Sequence, residues 1–155
     1  MKSTGELLKL TNTCIVIPTY NNNKTLIRVI DATITELQGK SKLIVINDGS
    51  TDKSLELLKI YDNRIILITY LKIQGKGAAL KLGLKKAHEL GYRNAITLDS
   101  DGQHYPSDIH HFLEATYKKP NTVIMGIRNM NHDSIPGKSS FGNKFSNFWF
   151  RIETG

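Results

Sequence analysis

Two carboxylates, Asp99 and Asp101, stand two positions apart where a short apolar run ends. If the chain stays extended there, this spacing places both side chains on the same side. Carboxylates without a cysteine or histidine cluster favour Mg²⁺ or Mn²⁺, which proteins often bind through one or two carboxylates and the phosphates of a substrate. The pair therefore predicts a metal site for a diphosphate, and the alternative is a polar strand end with an Asx turn that caps a helix.

Three further features could bind a ligand. Asp48 also follows an apolar run, and its carboxylate could accept a hydrogen bond from a nucleobase N–H or cap the next helix. Residues 74–78 open a helix where backbone N–H groups and Lys76 could approach an anion, and a flexible turn is the alternative. This segment is not a Walker A loop, because neither Ser nor Thr follows the lysine. His104 is either a support for the metal or an ordinary turn residue.

These residues belong to a repeated pattern of short apolar runs and longer helical segments. Five runs of strand length, rich in Val and Ile, lie at 13–18, 42–47, 65–70, 94–99 and 122–127. Helices are predicted at about 24–38, 51–61, 76–90 and 107–118. The alternation predicts an α/β fold with a mostly parallel sheet and helices on both faces. Because parallel strands end at one edge of such a sheet, the segments after them should form the site.

Composition limits the class of protein. The 155 residues suit one domain, and 39% hydrophobic residues suit a soluble core. The chain lacks the run of about 18 apolar residues that a membrane helix needs, and its start lacks the apolar middle of a secretory signal. A single cysteine, Cys14, cannot form an internal disulfide, so we predict a cytoplasmic protein. The net charge of +7 favours phosphate-bearing partners without identifying them.

The last part of the sequence differs from the rest. From Arg128 to Arg151 the basic residues outnumber the acidic ones by four to one. Five apolar residues share one face of a predicted amphipathic helix, namely Phe141, Phe145, Phe148, Trp149 and Ile152. Because the sequence stops at Gly155, we expect a truncated chain in which this face packs on further sequence. The alternative is a face that lies at a membrane interface.

Four segments taken together resemble family 2 glycosyltransferases. They are 15–21, 45–52, 75–80 and 99–104, and the last, followed by Pro106 and Asp108, is most similar to the dolichyl-phosphate mannose synthase branch and its bacterial relatives. The resemblance runs from about residue 13 to the end and implies a glycosyltransferase A type fold, Rossmann-like, whose first half binds a nucleotide sugar. It implies one domain over 1–155, with an N-terminal extension at 1–12 and an incomplete acceptor region at 128–155.

The resemblance also implies roles for individual residues. Those expected at a UDP or GDP sugar are Pro18, Thr19, Tyr20, Asn21, Asp48, Lys76 and Asp99. Those expected at Mg²⁺ or Mn²⁺ are Asp99, Asp101 and Gln103, and those expected at an acceptor phosphate are Arg128 and Lys138. Asp99, Asp101 and Arg128 are the predicted catalytic residues. The inferred reaction is an inverting displacement at the anomeric carbon, in which the metal stabilises the departing nucleoside diphosphate.

The acceptor is left open. A polyprenyl phosphate is already ionised and needs no protein base, whereas a saccharide hydroxyl needs one. No residue of the chain stands out as that base, which agrees with a lipid phosphate and equally with a base beyond Gly155. A lipid acceptor implies peripheral association with the inner face of the cell membrane. Nucleic acid is not a predicted partner.

Two other classes compete with this prediction. In a phosphoryl-transfer enzyme an aspartate after a strand becomes the phosphorylated nucleophile. That aspartate would normally follow the first strand, whereas the pair here follows the fourth run. The second competitor is a fragment that binds a nucleotide sugar without turning it over.

Overall fold

The computed structural model describes residues 1–126, which alternate between strands and helices. In chain order the elements are α1 (Thr4–Thr11), β1 (Thr13–Thr19), α2 (Leu26–Leu37), β2 (Leu43–Asp48), α3 (Ser54–Lys59), β3 (Ile66–Tyr70), α4 (Lys76–Glu89), β4 (Asn94–Thr97) and α5 (Ile109–Lys118). Short 3-10 turns lie at Asp62–Arg64 and Pro106–Asp108. The four predicted crossover helices are all present, and each differs from its expected bounds by a few residues at most.

The four strands form one parallel sheet in the order β3-β2-β1-β4. The central strands β1 and β2 are buried along their whole length and pair in register from Ile15 with Leu43 to Thr19 with Asn47. A parallel strand that is covered on both faces needs apolar side chains at nearly every position, which explains the unbroken apolar runs. The predicted α/β fold with a mostly parallel sheet is confirmed.

Helices cover both faces of the sheet. Ile15 and Ile17 of β1 pack into a core with α1, α2, α3 and α5, whereas Val16 packs with α4 on the other face. This division follows from the alternation of side chains along a strand. Helix α4 lies so close to the sheet that a Cβ added to Gly83 would collide with Val16 Cγ1. The helix therefore needs glycine at this position.

Two parts of the chain differ from the sequence prediction. Residues 122–126 of the fifth predicted strand form no strand, and Val123 is 87% exposed. A run of apolar residues becomes a strand only where a neighbouring strand accepts its hydrogen bonds, and spacing along the sequence does not provide that neighbour. The 1–12 extension contains the helix α1, which begins with a capping box between Ser3 and Glu6 and buries Leu7 and Leu8 in the core.

The chain divides into two units, Met1–Ile124 and Met125–Gly155, and only the first is described almost completely. Within residues 1–126, every helix is too short or too polar to cross a membrane. The predicted aromatic helix face, Arg128 and Lys138 lie outside the described residues. The predicted single domain and its acceptor region from residue 128 stay predictions.

Candidate active site

An open cleft lies at the carboxyl edge of the sheet, with a volume of about 240 Å³. Its walls come from the ends of β1 and β2, the start of α4 and the loop after β4, as the parallel topology requires. The lining residues are Pro18, Thr19, Tyr20, Asn22, Asp48, Ile73, Gly75, Lys76, Ala79, Asp99, Ser100 and Asp101.

Most of the residues predicted at the site meet in this cleft. They are Pro18, Thr19, Tyr20, Asp48, Lys76, Asp99 and Asp101. Asn21 and Gln103 lie in the same loops but are not among the lining residues, and Arg128 and Lys138 fall outside residues 1–126. The sequence prediction gave no site role to four lining residues, namely Asn22, Ile73, Ala79 and Ser100, whereas Gly75 belongs to the predicted anion-binding segment 74–78. Asn22 and Ser100 carry a usable signal, since both are polar residues in segments that follow strands.

Asp99 lies at the centre of a small charge cluster. Lys76 Nζ is 2.7 Å from Asp99 Oδ1, and His104 Nδ1 is 4.0 Å from Asp99 Oδ2. The backbone N–H of Asp99 donates to His104 Nδ1 at 3.0 Å, so this ring nitrogen acts as an acceptor and carries no proton in that contact. The lysine thus joins the start of α4 to the loop after β4.

Asp101 reaches the cleft by a turn. Strand β4 ends at Thr97, and residues 100–102 turn, with φ of +77° at Gly102. The Gln103 N–H donates to Asp101 Oδ1 at 2.8 Å, which closes an Asx turn. The chain therefore does not stay extended through Asp101, so the condition for placing both side chains on one side of a strand is not met, although both carboxylates line the same cleft. The turn and the ligand role, treated as alternatives from the sequence, are geometrically compatible.

The acidic turn is tied to the loop after β1. Ser100 is buried, and its Oγ accepts a hydrogen bond from Asn22 Nδ2 at 2.6 Å. The carbonyl oxygen of Ser100 accepts a hydrogen bond from Thr25 Oγ1 at 2.7 Å. These bonds fix the residue between the two carboxylates, so the turn that presents them is held from both its side chain and its backbone.

Asn21 connects the loops after β1 and β2. Its φ is +50°, a conformation that asparagine adopts more readily than most residues. Its Oδ1 accepts hydrogen bonds from the Thr51 N–H at 2.8 Å and the Asp52 N–H at 3.3 Å. Burial raises the pKa of the Asp52 carboxyl, but hydrogen bonds from Ser54 and the Asn23 N–H outweigh this effect and hold the pKa below its ordinary value.

Asp48 is the last residue of β2, and its carboxylate accepts hydrogen bonds from the loop before α4. It is 3% exposed, and its two carboxylate oxygens accept hydrogen bonds from the Gln74 N–H and the Gly75 N–H, each at 2.8 Å. Next to it, Gly49 has φ of +69°, and a Cβ there would lie 2.5 Å from the backbone nitrogen of Ile73. The loop thus lies against the end of β2, and only glycine fits at position 49.

Two of the polar side-chain atoms that are buried without a hydrogen-bond partner in residues 1–126 lie near the ends of β1 and β2. Thr19 Oγ1 and Asn47 Nδ2 are buried, and neither has a hydrogen-bond partner within the part of the chain that the structure describes. Thr19 and Asn47 are register partners on the adjacent strands β1 and β2. Buried polar atoms are rarely left unpaired, so Thr19, which lines the cleft, is suited to bind a polar group of a ligand.

The acidic pair fits a hard divalent cation. Asp99 and Asp101 offer oxygen donors on one cleft wall, and a carboxylate has more lone-pair sites than their observed contacts use. Among residues 1–126, there is no group of three or more His, Cys, Asp or Glu side chains placed to hold a metal ion. The arrangement corresponds to the mode in which Mg²⁺ takes one or two carboxylates and completes its shell with phosphates and water.

Several known proteins similar to this chain are named as sugar transferases. It is 31% identical over 131 residues to the UDP-N-acetylglucosamine–dolichyl-phosphate N-acetylglucosaminyltransferase of Methanococcus voltae, covering 74% of this chain and 51% of that protein. It is 32% identical over 134 residues to the undecaprenyl-phosphate 4-deoxy-4-formamido-L-arabinose transferase of Proteus mirabilis (strain HI4320), covering 81% of this chain and 40% of that protein. The chain therefore spans about half the length of these relatives, or less.

The fold has a solved counterpart. The crystal structure of residues 1–349 of S. aureus TarS matches with a TM-score of 0.59 and 17% identity, over 80% of this chain and 38% of that chain. At this identity the likeness concerns the fold alone. The sequence matches the profile of Glycosyl transferase family 2 over residues 14–151. Because this match takes in the cleft and nearly the whole sequence, the chain belongs to glycosyltransferase family 2.

Proposed function

We propose that the chain forms the donor-binding part of a metal-dependent, inverting glycosyltransferase that moves a sugar from a UDP or GDP sugar to a polyprenyl phosphate. One observation carries this proposal: Asp99 and Asp101 share a cleft at the strand ends with Lys76 and with the Thr19 hydroxyl, which has no hydrogen-bond partner among the described residues. The names of the relatives support it, since one names a UDP sugar and both name a polyprenyl phosphate acceptor.

The nucleoside part of the donor would lie against the ends of β1 and β2. Tyr20 is 41% exposed and lines the cleft, so its ring offers an apolar face for a base. Pro18 completes that surface, and Thr19 Oγ1 supplies a polar atom at its buried end. Asp48 lies beside them at the end of β2. These residues combine an apolar wall with a few polar groups, which is typical of small-molecule sites.

The diphosphate would lie near the acidic pair. Mg²⁺ or Mn²⁺ held by Asp99 and Asp101, with Gln103 in the same turn, supplies positive charge where the leaving nucleoside diphosphate gains negative charge. Asp101 is held in place by its Asx turn, and Ser100 is fixed by Asn22. Lys76 adds a second cation beside the pair, because its ammonium contacts Asp99 while most of its side chain is exposed.

A phosphate acceptor would need no general base from the cleft. Transfer breaks the bond between the anomeric carbon and the diphosphate oxygen and forms a bond to an oxygen of the acceptor phosphate. That oxygen is already ionised and needs no general base. Arg128 and Lys138 are the basic residues assigned to the acceptor phosphate. We place the protein in the cytoplasm, at the inner face of the membrane that carries this lipid.

Calorimetry with nucleotides tests the donor site. The 155-residue chain is titrated with UDP and with GDP, with and without MnCl₂. We expect one nucleotide to bind with Mn²⁺ present, and Asp101→Asn to weaken that binding by about tenfold, because removing one partner of a charged contact costs about 1.5–3 kcal/mol. Asp62→Asn is the control, since Asp62 lies in a turn away from the cleft. Failure of the wild-type chain to bind either nucleotide with Mn²⁺ would contradict the proposal.

Sugar transfer tests the acceptor. The protein is incubated with radiolabelled UDP and GDP sugars and either undecaprenyl phosphate or an oligosaccharide. We expect label in the lipid phosphate, with the anomeric configuration inverted as read by NMR of the product. Label in the oligosaccharide alone would replace the lipid phosphate with a saccharide hydroxyl. Flotation with liposomes, for wild type and Phe148→Asp, tests whether the predicted aromatic helix face takes part in membrane binding, and equal soluble fractions for the two would contradict that role.

A further inference from the structure

Asp48 makes its closest contacts with the protein itself. Both carboxylate oxygens accept backbone N–H groups, from Gln74 and Gly75, at 2.8 Å each. Hydrogen bonds to an ionised acceptor are about twice as strong as those between neutral groups. The side chain is almost fully buried. A nucleobase N–H could therefore bind Asp48 only by sharing an oxygen that already holds a backbone N–H.

The Gln74–Gly75 loop that Asp48 binds leads directly to Lys76, the cation of the cleft. Gly75 is the N-cap of α4, has φ of +96°, and as glycine has no side chain of its own to cap the helix. Lys76 is the first residue of α4, and its Nζ lies 2.7 Å from Asp99 Oδ1. Glycine in this conformation is intrinsically permissive, so the loop needs an external contact to select one path. Asp48 supplies that contact one residue before the lysine.

The chain of contacts crosses the sheet edge. Asp48 ends β2 and Asp99 follows β4, and β1 lies between these strands in the order β3-β2-β1-β4. Lys76 belongs to neither strand and begins α4 directly after the loop. A shift of Gly75 would therefore change the direction from which the Lys76 ammonium reaches the acidic pair.

We propose that Asp48 is a positioning residue: it fixes the Gln74–Gly75 backbone, and through it Lys76, and so supports binding of the diphosphate part of the donor whatever base the donor carries. This inference rests on the proposed function, because it assumes that a diphosphate enters the cleft. A residue that only read the base would leave diphosphate binding unchanged.

Amide exchange tests the first step without any ligand. We expect Asp48→Asn to speed hydrogen exchange of the Gln74 and Gly75 amides at least tenfold by NMR, because the asparagine amide presents N–H groups where one oxygen accepted. Exchange in the β1 amides should stay as in the wild type, which shows that the variant is folded. Unchanged exchange at both loop amides would overturn the inference.

Ligand binding tests the second step. Calorimetry with Mn²⁺ compares UDP, GDP and ribose 5-diphosphate, which has the sugar and diphosphate but no base. We expect Asp48→Asn to weaken ribose 5-diphosphate and the preferred nucleotide by a similar factor, about tenfold if one strong hydrogen bond is lost. Gln74→Pro removes one donor and leaves Asp48 intact, so it should weaken both ligands too. Gln74→Ala keeps the N–H and should bind like the wild type.

The outcomes separate the two proposals. If Asp48→Asn weakens only the nucleotide, and Gln74→Pro binds both ligands normally, Asp48 reads the base directly and the positioning role is wrong. If both variants bind all ligands like the wild type, the positioning role is also wrong, while the proposed donor site stands. If the wild type binds no nucleotide with Mn²⁺ but Asp48→Asn speeds exchange of the loop amides, the proposed function fails. Only the claim that Asp48 fixes the Gln74–Gly75 backbone then remains.

Discussion

His104 closes the acidic turn through a single ring nitrogen. Because Nδ1 accepts the Asp99 N–H, an asparagine at this position can offer its Oδ1 at nearly the same place, whereas a glutamine amide corresponds to Nε2. We therefore expect His104→Asn to keep nucleotide binding with Mn²⁺, and His104→Gln and His104→Ala to weaken it about fivefold, the worth of about 1 kcal/mol for one hydrogen bond. Calorimetry with UDP and GDP measures the difference.

The asparagine variant serves as the control for this prediction. A general disturbance of the loop would weaken all three variants alike, since each removes the imidazole ring. Equal affinity in all three would show that the bond to Asp99 does not position the carboxylate. Circular dichroism of each variant confirms that the sheet is intact.

Asp52 should contribute to stability in a way that depends on pH. Its folded pKa lies below the ordinary value of 3.8, so its carboxylate stabilises the fold at pH above that value. The contribution is lost as the pH falls through the lowered folded pKa. We expect Asp52→Asn to reduce the free energy of unfolding at about pH 7 and to have little effect once the pH is well below the lowered folded pKa, where both proteins carry a neutral group.

Urea unfolding at several pH values measures this effect. Asp62→Asn is the matched control, because Asp62 lies in an exposed turn and the substitution makes the same change from carboxylate to amide. A difference between wild type and Asp52→Asn that stays constant from neutral to acid pH would contradict the linkage. In that case the loss would come from side-chain shape and not from the carboxylate charge.

At the scale of an element, α4 contains two glycines with opposite roles. A Cβ at Gly83 would collide with Val16 on the sheet, whereas a Cβ at Gly77 meets no atom within 4 Å. Alanine favours a helix over glycine by about 1 kcal/mol. We expect Gly77→Ala to raise the free energy of unfolding by about 0.5–1 kcal/mol and Gly83→Ala to lower it by about 1–3 kcal/mol, the cost of overpacking.

Chemical unfolding of the two variants decides this prediction. They differ in position and share the same chemical change, so each is the control for the other. If both variants were stabilised, the helix would have room to move away from β1. If both were destabilised, Gly77 would have a backbone role that its open surroundings do not reveal.

Helices and strands with a strong hydrophobic periodicity could be predicted from the sequence. An element that forms only where a neighbouring strand accepts its hydrogen bonds could not. The four strands follow from runs of apolar residues, because buried parallel strands need them on both faces. Helix α1 carries a readable signal in Ser3 and Glu6, the capping box, which the prediction did not use. The run at 122–127 has the composition of a strand, but residues 122–126 form none.

Part of the site could be predicted from one rule, that the carboxyl ends of parallel strands meet at one edge of the sheet. That rule brings Asp48, Asp99 and Asp101 to one edge of the sheet, where the structure places them. It does not reveal that Asp48 accepts a hydrogen bond from the Gly75 N–H, nor that Asn22 donates one to Ser100, 78 residues away. Such contacts depend on which strands are neighbours and on how each loop turns, and neither property is contained in local spacing.

At the scale of the whole molecule, Cys14 reports on the integrity of the sheet. It lies fully buried on β1, between β2 and β4 and beneath α4. Burial raises the pKa of its thiol to about 11, so almost none of it is thiolate near neutral pH. A reagent can reach it only when the sheet and α4 separate, which is close to global unfolding.

We therefore expect Cys14 to react with a disulfide reagent at pH 8 only as fast as the chain unfolds, and urea to accelerate the reaction along with unfolding. Because Cys14 is the single cysteine of the chain, the absorbance signal has one source. A Cys14→Ser, Lys81→Cys variant is the control, since position 81 is exposed on α4 and should react at once without urea. Fast labelling of Cys14 in native buffer, unaffected by urea, would mean that β1 is reached by local opening and that the two cores do not unfold together.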